Sequence, residues 1–487
     1  MRKVIENQLK FGQIDIPNIE IDIDCRDEIP QLLLGLQTIY ADRGLRQQVF
    51  SILENMVPKD VDAKNGRPGM DLWNILVLGT LRLNCNWDYD KVHNISNNHM
   101  MVRQFLGHPP EEFDEQYKLQ TIKDNVSLFT PQVLDEISRI VVKAGHKMIN
   151  EDKAPLKGRC DSFVVETDVH YPTDINLLLD AIRKIIFIIG SLFAELGMTE
   201  WRQYRHIFKK IKKLFNAVRR MKHSTSKNKD KKAQRKQLIM DAHRQYVDMV
   251  EDYVNRARQS LKNLKAMSDV AIAKILLIEK FIGHAERQIE QIRRRVLDGE
   301  TIPHHEKVFS VFEEHTEWIC KGKAGTPQEL GLGVCVLEDQ LGFILHHHVM
   351  EKEKDIDIAV SMVAETQQKF PTLSVCSFDK GFYNPKNRKE LGSLLDLAVL
   401  PKKGRLSKKD WETEGSDPFV KSRRQHAAVE SAINAIENHA LDRCPDHGII
   451  GFKRYVALAV LARNIQILGA YIQKKELEKL KRRRRAA

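Results

Sequence analysis

The sequence predicts a mixed α/β (α+β) protein in which an all-α region precedes the sheet. Strand-like segments occur in two blocks, one at residues 160–169 and one between residues 307 and 400. About 130 residues of almost continuous helical periodicity separate the two blocks. The simplest assembly is one α/β domain over residues 155–475, interrupted by a helical insertion at residues 175–300.

Composition and charge indicate the cellular compartment of the protein and the class of its binding partner. A chain of 487 residues is too long for one ordinary domain, so about two to four domains are expected. A net charge of +12 favours a polyanionic partner. Seven cysteines without a Cys-x-x-Cys pair indicate free thiols in a reducing cytosol. The sequence predicts neither a signal peptide nor a membrane span, so we expect a cytoplasmic protein.

Two helical regions are expected before the first strand block. Residues 1–65 form an arm and a helix: Ile14 to Cys25 is an extended arm or an edge strand, and Ile29 to Leu53 is one helix. Residues 66–150 form a helical domain whose three short helices follow the break at Gly66-Arg67-Pro68-Gly69. Such a trio fits a helix-turn-helix-like module for DNA binding or dimerisation, and equally a plain helical bundle. The expected helices are Asp71 to Leu83, Tyr89 to Ile95, Asn98 to Leu106, and further helix from Leu119 to Ile149.

The helical insertion carries the strongest charge feature of the chain. Between Trp201 and Lys236 there are fifteen Lys or Arg residues and one acid, Asp230. An aromatic and aliphatic stripe backs the first half of this segment, as in an amphipathic helix. A charge run is often only a solvated face, but this imbalance favours contact with nucleic acid. The residues expected to bind DNA here are Lys209, Lys210, Lys212, Lys213, Arg219 and Arg220.

The second strand block alternates strands with helices, as an α/β domain requires. Residues 402–422 are expected to form a polar loop, and residues 476–487 a basic tail. The expected strands are Val308 to Phe312, Gly331 to Leu337, Gly342 to Val349, Ser374 to Phe378 and Leu397 to Leu400. The expected helices are Asp355 to Gln367, Pro385 to Leu395, Arg424 to Asn438 and Gly451 to Ile472.

Three acidic residues on separate elements could hold divalent metal ions. Asp161 lies on the first strand, Asp379 ends a later strand beside a glycine turn, and Glu430 lies on the polar face of a helix. Mg²⁺ prefers hard oxygen ligands, and two such ions serve phosphoryl transfer by activating the attacking oxygen and stabilising the leaving one. Each acid taken alone is also explained by surface solvation, and spacing does not prove that the three meet.

Four stretches resemble bacterial insertion-sequence transposases with a DDE triad on a ribonuclease H-like fold, in the group outside the main classified insertion-sequence families. The most specific stretches are His170-Tyr171-Pro172-Thr173-Asp174 and Val429-Glu430-Ser431-Ala432-Ile433-Asn434. The Gly-Arg-Pro block at residue 66 is weaker. The four stretches are the Gly-Arg-Pro block with the helical segment ending Val102 to Gly107, Asp161 to Thr167 running into His170 to Asp174, Asp379 to Tyr383, and Gln425 to Asn434 continuing to Gly451 to Tyr455 and Ala462 to Asn464.

The resemblance implies a DNA transposase. Asp161, Asp379 and Glu430 would be its catalytic and metal-binding acids, with Mg²⁺ or Mn²⁺ as cofactor. It would cleave double-stranded DNA at the terminal inverted repeats of a mobile element and join the freed 3′-hydroxyl to target DNA. Paired cleavage implies a homo-oligomer, at least a dimer, associated with the bacterial nucleoid.

Two departures from the family pattern bear on the site. Relatives carry Tyr, Arg, Glu and Lys in fixed spacing around the third acid, where this chain has Arg423, His426, Glu430 and Glu437. Only the glutamate matches, so Arg423, Arg424 or Lys421 would supply the phosphate contact instead. Asp168 and Asp174 lie close to Asp161 in sequence and compete with it as the first acid.

Other classes of function remain open from sequence. A structure-specific nuclease or recombinase of the same fold would use the same acids. A transposase-derived DNA-binding protein without catalysis would retain the basic segments alone. A zinc enzyme is a distant option, because the adjacent side chains of His346, His347 and His348 alternate along a strand and cannot all face one ion.

Overall fold

The computed structural model describes residues 3–5, 8–56, 69–112, 114–149, 154–262, 264, 269–320 and 328–486. It is a mixed α/β structure, 63% helical and 10% strand, with one mixed sheet of seven strands. The chain forms two compact units, one made of residues 1–168 and 319–487, and the other of residues 169–318. We call them the sheet unit and the helical unit. The motif Gly66-Arg67-Pro68 lies outside the described residues.

The N-terminal helices belong to the sheet unit. One predicted helix, Ile29 to Leu53, is two helices, because Asp42 adopts an extended backbone and its carboxylate accepts hydrogen bonds from the N–H groups of Gly44 and Leu45. The arm is not a strand: Gln37 Nε2 donates to the carbonyls of Ile16 and Ile19 at 2.9 and 2.8 Å and holds it against a helix. The helices are α1 Glu28–Ala41, α2 Arg43–Glu54, α3 Leu72–Asn84, α4 Tyr89–Asn98, α5 Met100–Phe105, α6 Leu119–Val126 and α7 Pro131–Met148.

The sheet has the order β2-β3-β1-β5-β6, with β4 paired to β3 and β7 paired to β1. Strand β1 runs antiparallel to β3 and parallel to β5 and β7, β3 runs antiparallel to β4, and β5 runs parallel to β6. The strands are β1 Leu156–Thr167, β2 Glu317–Cys320, β3 Gln328–Glu338, β4 Ile344–Met350, β5 Leu373–Phe378, β6 Leu397–Val399 and β7 Arg443–Cys444. The predicted strands at 160, 331, 342, 374 and 397 are thereby confirmed.

Two predictions for the second strand block are wrong. Val308 to Phe312 forms no strand, although its β-branched and aromatic residues favoured one. Residues 402–422 hold two helices instead of a loop, the first started by a capping box in which Ser407 and Asp410 bond each other's backbone N–H. The helices of this block are α12 Asp355–Lys369, α13 Pro385–Leu394, α14 Lys408–Glu414, α15 Asp417–His426, α16 Ala428–Ile436 and α17 Gly448–Ala486.

Helix α17 forms much of the core of the sheet unit. Its length and mean hydropathy of 1.4 over an 18-residue window would suffice to cross a membrane, but 78% of that window is buried inside the protein, as in a core helix. Buried Asn464 fixes it in place, since its amide donates to the Ile344 carbonyl and accepts from the Ile344 N–H, both at 2.9 Å. Asn464 Nδ2 also lies 2.9 Å from Ser138 Oγ on α7.

The helical unit has its own apolar core. Helix α8 is capped by Thr173, whose hydroxyl accepts a hydrogen bond from the Asn176 N–H. Trp201 is fully buried and donates its indole N–H to Ser260 Oγ at 3.0 Å. The helices are α8 Asp174–Glu195, α9 Tyr204–Arg220, α10 Lys229–Lys262 and α11 Asp269–Ile292.

Helices α1 and α17 approach each other at two glycines, and we expect Gly469→Ala to destabilise the sheet unit. A Cβ at Gly469 would lie 1.8 Å from the Gln31 carbonyl oxygen, which belongs to rigid backbone. The helices would have to separate, at a cost on the order of 1–3 kcal/mol. Chemical denaturation should show a lower free energy of unfolding.

The matched control is Gly392→Ala on α13, where a Cβ meets nothing within 4 Å. That variant should be unchanged or more stable by about 0.5–1 kcal/mol, because alanine favours helix over glycine. Equal stability of Gly469→Ala and wild type would contradict the close helix approach.

Candidate functional site

Asp161 and Asp379 lie side by side on neighbouring parallel strands. The last register pair between β1 and β5 is Cys160 with Phe378; Asp161 follows Cys160 on β1, and Asp379 is the first residue after the end of β5. Neighbouring strands are about 4.8 Å apart, and residues at the same level of a parallel pair point to the same face. Asp379 still has an extended backbone, with φ −74° and ψ 164°, and starts a single 3-10 turn at Lys380–Phe382.

Glu430 lies in the first turn of α16, on the exposed side of that helix. The opposite side is buried through Val429, Ile433 and Ile436. Glu430 is close enough to Asp161 for its negative charge to raise the pKa of the aspartate. The fold therefore brings all three predicted acids into one electrostatic neighbourhood.

Asp161 has a perturbed pKa. Burial raises the pKa of Asp161 to about 6, the hydrogen bond from the Ser162 N–H opposes the rise, and the charges of Asp379, Asp355 and Glu430 add to it. The group thus concentrates negative charge in a partly buried position. A divalent cation would relieve that repulsion, so the carboxylate donors fit Mg²⁺ or Mn²⁺ in chemistry.

The carboxylates do not converge as tightly as ligands of a single ion. Among the described residues, one group of three His, Cys, Asp or Glu side chains has all its ligand atoms within 4.8 Å, and it is His108, Glu112 and Glu115. Asp161, Asp379 and Glu430 are therefore wider apart than this spacing. Such spacing requires the side chains to move inward around one ion, or to be shared between two ions.

Asp355 is a fourth acid of the site and was missed from sequence. It starts helix α12, and its Oδ1 accepts a hydrogen bond from Ser162 Oγ at 2.6 Å. A Cβ on Gly381, close to Asp379 in the chain, would lie 2.9 Å from Asp355 Oδ2. In sequence, an acid in the first turn of a helix is sufficiently explained by the helix dipole, so only the folded chain reveals this position.

His426, four residues before Glu430, lies near the acids. Ser377 Oγ lies 3.0 Å from His426 Nδ1, while Nε2 is buried with no hydrogen-bond partner among the described residues. Burial lowers the pKa of His426, and the nearby charges of Asp379 and Glu430 partly oppose this. The ring is thereby favoured in its neutral form.

The two competitors for the first acid have other partners. Asp174 forms a two-pronged ion pair with Arg295, with distances of 2.6 and 3.0 Å. Asp168 is exposed and lies 3.8 Å from Arg443. Asp161, by contrast, is the aspartate on which the charges of Asp379 and Glu430 act, so the geometry favours it.

The predicted DNA-binding residues of the insertion all lie on one helix, α9. Its buried face consists of Ile207, Ile211, Phe215 and Val218. The basic residues are exposed on the remaining surface, and within the described part of the chain the four lysines form no ion pair. They are Lys209, Lys210, Lys212, Lys213, Arg219 and Arg220.

Arg423 and Arg424 end helix α15 and are also exposed. Arg424 lines a cavity of about 580 Å³ in the sheet unit, together with Lys157, Arg159 and Ser377. Ser377 contacts His426, so this basic cavity adjoins the acidic group. A phosphate group bound near the acids would lie close to the cationic side chains of this cavity.

The other clusters of potential ligands are explained by pairing. Lys10 Nζ lies 3.2 Å from Glu112 and 2.8 Å from Glu115, so an ammonium already balances the acids beside His108. In the histidine run, His346 contacts Glu365 at 3.2 Å and His348 contacts Glu353 at 2.6 Å. The two histidines thus have separate acidic partners, and no single ion is needed to explain the run.

In comparisons with protein-family models, curated proteins and solved structures, the chain has no significant match. The case for a function therefore depends on the residues and geometry described above.

We expect Asp161→Asn to stabilise the metal-free protein at pH 7. The folded-state pKa of about 6 exceeds the ordinary 3.8, so the folded protein binds more protons between these values and its stability falls as pH rises through them. Removing the charge should raise the free energy of unfolding by about 1–2 kcal/mol at pH 7 and by much less at pH 4. Denaturation in EDTA at both pH values measures this.

Asp168→Asn is the matched control, because that acid is exposed. Its effect should stay within about 0.5 kcal/mol at either pH. A destabilised Asp161→Asn protein at pH 7 would refute the repulsion inferred at Asp161.

Proposed function

We propose that this protein is a DNA transposase that cleaves DNA at the ends of a mobile element and transfers the freed strand into target DNA. The observation that carries the proposal is that Asp161 and Asp379 follow the last register pair of the parallel strands β1 and β5. The negative charges of both Asp379 and Glu430 raise the pKa of Asp161. Strongly perturbed pKa values cluster at functional sites, so an Asp161 pKa of about 6 beside two further acids favours a functional role for the group.

The sheet order supports a ribonuclease H-like fold for the sheet unit. Three antiparallel strands, β1, β3 and β4, are followed by α12 and by the parallel strands β5 and β6 on the other side of β1. The first and second acids then lie on the central strand and on its parallel neighbour. This is the arrangement that the resemblance of the sequence implies.

Asp161, Asp379 and Glu430 would hold the metal ions, and Asp355 would join them or orient Ser162 beside them. Bound divalent ions would supply activation of the attacking oxygen and stabilisation of the leaving oxygen. The chain's own part is to hold the carboxylates close to one another. His426 lies 3.0 Å from Ser377, which lines the same cavity as Arg424, so the proposal places a histidine and an arginine near the acids.

A non-catalytic DNA-binding protein is the second candidate, because the three acids are wider apart than the ligands of one ion. It would use the basic face of α9 without the acidic site. A nuclease without strand transfer would use the same acids as a transposase, and the joining step distinguishes the two.

The first experiment is metal-dependent cleavage and joining of oligonucleotides copied from the DNA that flanks the gene. Wild type should cleave with Mg²⁺ or Mn²⁺ and be inactive in EDTA. Glu430→Gln and Asp379→Ala should each lower the rate by more than about 100-fold, since loss of a residue that merely orients a metal ligand already costs about 10–100-fold. DNA binding measured in EDTA should persist in both variants.

Asp168→Asn is the matched control and should cleave as wild type does. Cleavage that survives Asp379→Ala would refute the metal role of the acid. Binding without cleavage in every protein, wild type included, would favour the non-catalytic candidate, and cleavage without joining would favour the nuclease.

A second prediction concerns the basic face of α9. Replacing Lys209, Lys210, Lys212 and Lys213 by glutamine should weaken DNA binding and flatten its dependence on salt, by about 0.9 in log–log slope for each phosphate that the variant no longer neutralises. Titrations at several salt concentrations measure the slope.

The control replaces Lys274 and Lys280 of the same unit, whose ammonium groups already contact Glu195 and Glu314. Their replacement by glutamine should change the slope less per charge removed. An unchanged slope in the α9 variant would make this helix a solvated face with no role in binding.

A further inference from the structure

A second cavity lies wholly within the helical unit. It has a volume of about 410 Å³, inside the range of roughly 300–1,000 Å³ typical of small-ligand sites. Its walls come from the start of α8, the last turns of α11 and the segment after α11. Nothing in the proposed cleavage chemistry uses it.

Aromatic rings form one side of this cavity. The ring centroids of Phe309 and Trp318 are 5.7 Å apart with planes 39° apart, and Tyr171 meets Trp318 edge-on at 5.6 Å. His304 lies 5.2 Å from Phe309 at an angle of 38°. Four rings gathered at an open cavity provide faces on which a planar ligand can stack.

Gln288, on another wall, has an unsatisfied amide. The side chain is 1% exposed, and neither its Nε2 nor its Oε1 has a hydrogen-bond partner among the described residues. A buried donor or acceptor left unpaired costs about 1–3 kcal/mol. Its neighbour Gln291 is satisfied, since its Nε2 donates to the Glu306 carbonyl at 2.7 Å. The unmet donor and acceptor of Gln288 thus form a pair that a ligand can complement.

The charges at the cavity leave one cation uncompensated. Asp174 and Arg295 neutralise each other through their ion pair. Lys307 is exposed, lines the cavity and has no ion-pair partner in the described part of the chain. An anionic group attached to the ligand would be attracted to this ammonium.

We propose that the cavity binds an unpaired nucleobase of a DNA strand. A base has flat faces for the aromatic wall, an edge with adjacent donor and acceptor for the Gln288 amide, and a phosphate for Lys307. An aliphatic ligand would leave the amide unsatisfied, and a paired base would be stacked inside its duplex. The strongly basic α9 of the same unit makes DNA the source of the base rather than a free nucleotide.

The test compares two duplexes of one sequence, one fully paired and one with a single base opposite an abasic position. The full-length protein is titrated in EDTA, so no cleavage intervenes, and binding is followed by fluorescence anisotropy. Wild type should bind the duplex with the unpaired base about tenfold more tightly, since stacking of one base contributes roughly 5- to 150-fold. Gln288→Leu and Trp318→Ala should each bring the ratio of the affinities for the two duplexes close to one.

Matched controls are Gln234→Leu on α10 and Trp411→Ala, both at exposed positions, which should keep the wild-type ratio. Thermal melting accompanies each titration. Gln288→Leu should melt no lower than wild type, because it removes unsatisfied buried groups. This variant therefore tests the cavity even if Trp318→Ala fails to fold.

If Gln288→Leu still preferred the duplex with the unpaired base, the preference would come from the flexibility of that duplex, and the proposal would be overturned. A free mononucleotide that abolishes the preference at micromolar concentration would overturn the assignment to DNA. The outcome is independent of the proposed cleavage reaction, because Asp379→Ala should retain the base preference while losing cleavage.

Discussion

The parallel pairing of β1 with β5 is the constraint on which the candidate active site depends. Its register aligns Cys160 with Phe378, and the residue that follows each of these in the chain is an aspartate. A slip of one residue would send one carboxylate to the opposite face of the sheet. About 220 residues separate the two aspartates in the chain, and the acidic group forms only if β1 and β5 pair in this register.

The register in turn depends on the packing that holds the sheet. Helix α17 contacts α1 closely enough that Gly35 and Gly469 leave no room for a Cβ. Asn464 ties α17 to β4 through the backbone of Ile344 and to α7 through Ser138. A side chain with three buried hydrogen bonds has few alternative positions, so it specifies how helix and sheet meet.

The helical unit and the sheet unit divide the chemistry between them. Acids collect in the sheet unit, where burial and mutual repulsion raise the pKa of Asp161. Exposed basic residues collect on α9, whose apolar face is buried inside the helical unit. The proposed metal site and the proposed phosphate-binding surface have opposite electrostatic requirements, and they lie on separate elements of the chain.

Local patterns determined most of the elements. Period-2 runs rich in β-branched residues predicted β1, β3, β4, β5 and β6, and apolar periodicity predicted the long helices of the insertion. The failures have local causes: capping by Asp42 split one helix, and the Ser407–Asp410 box started a helix in a stretch too polar to predict one. The spacing of apolar residues alone does not reveal such helix caps.

The candidate site was predictable in part. Asp161, Asp379 and Glu430 were named from motifs, since a resemblance compares residues and needs no coordinates. Asp355 entered only with the tertiary structure, which brings the start of a helix beside the strands, and the contact of His426 with Ser377 likewise depends on the fold. The unsatisfied amide of Gln288 likewise has no signature in sequence, because hydrogen-bond satisfaction is a property of the folded neighbourhood. The sequence by itself determined which chemical groups are available, and the tertiary structure decided which of them meet, because contacts between residues distant in sequence depend on strand register and helix packing.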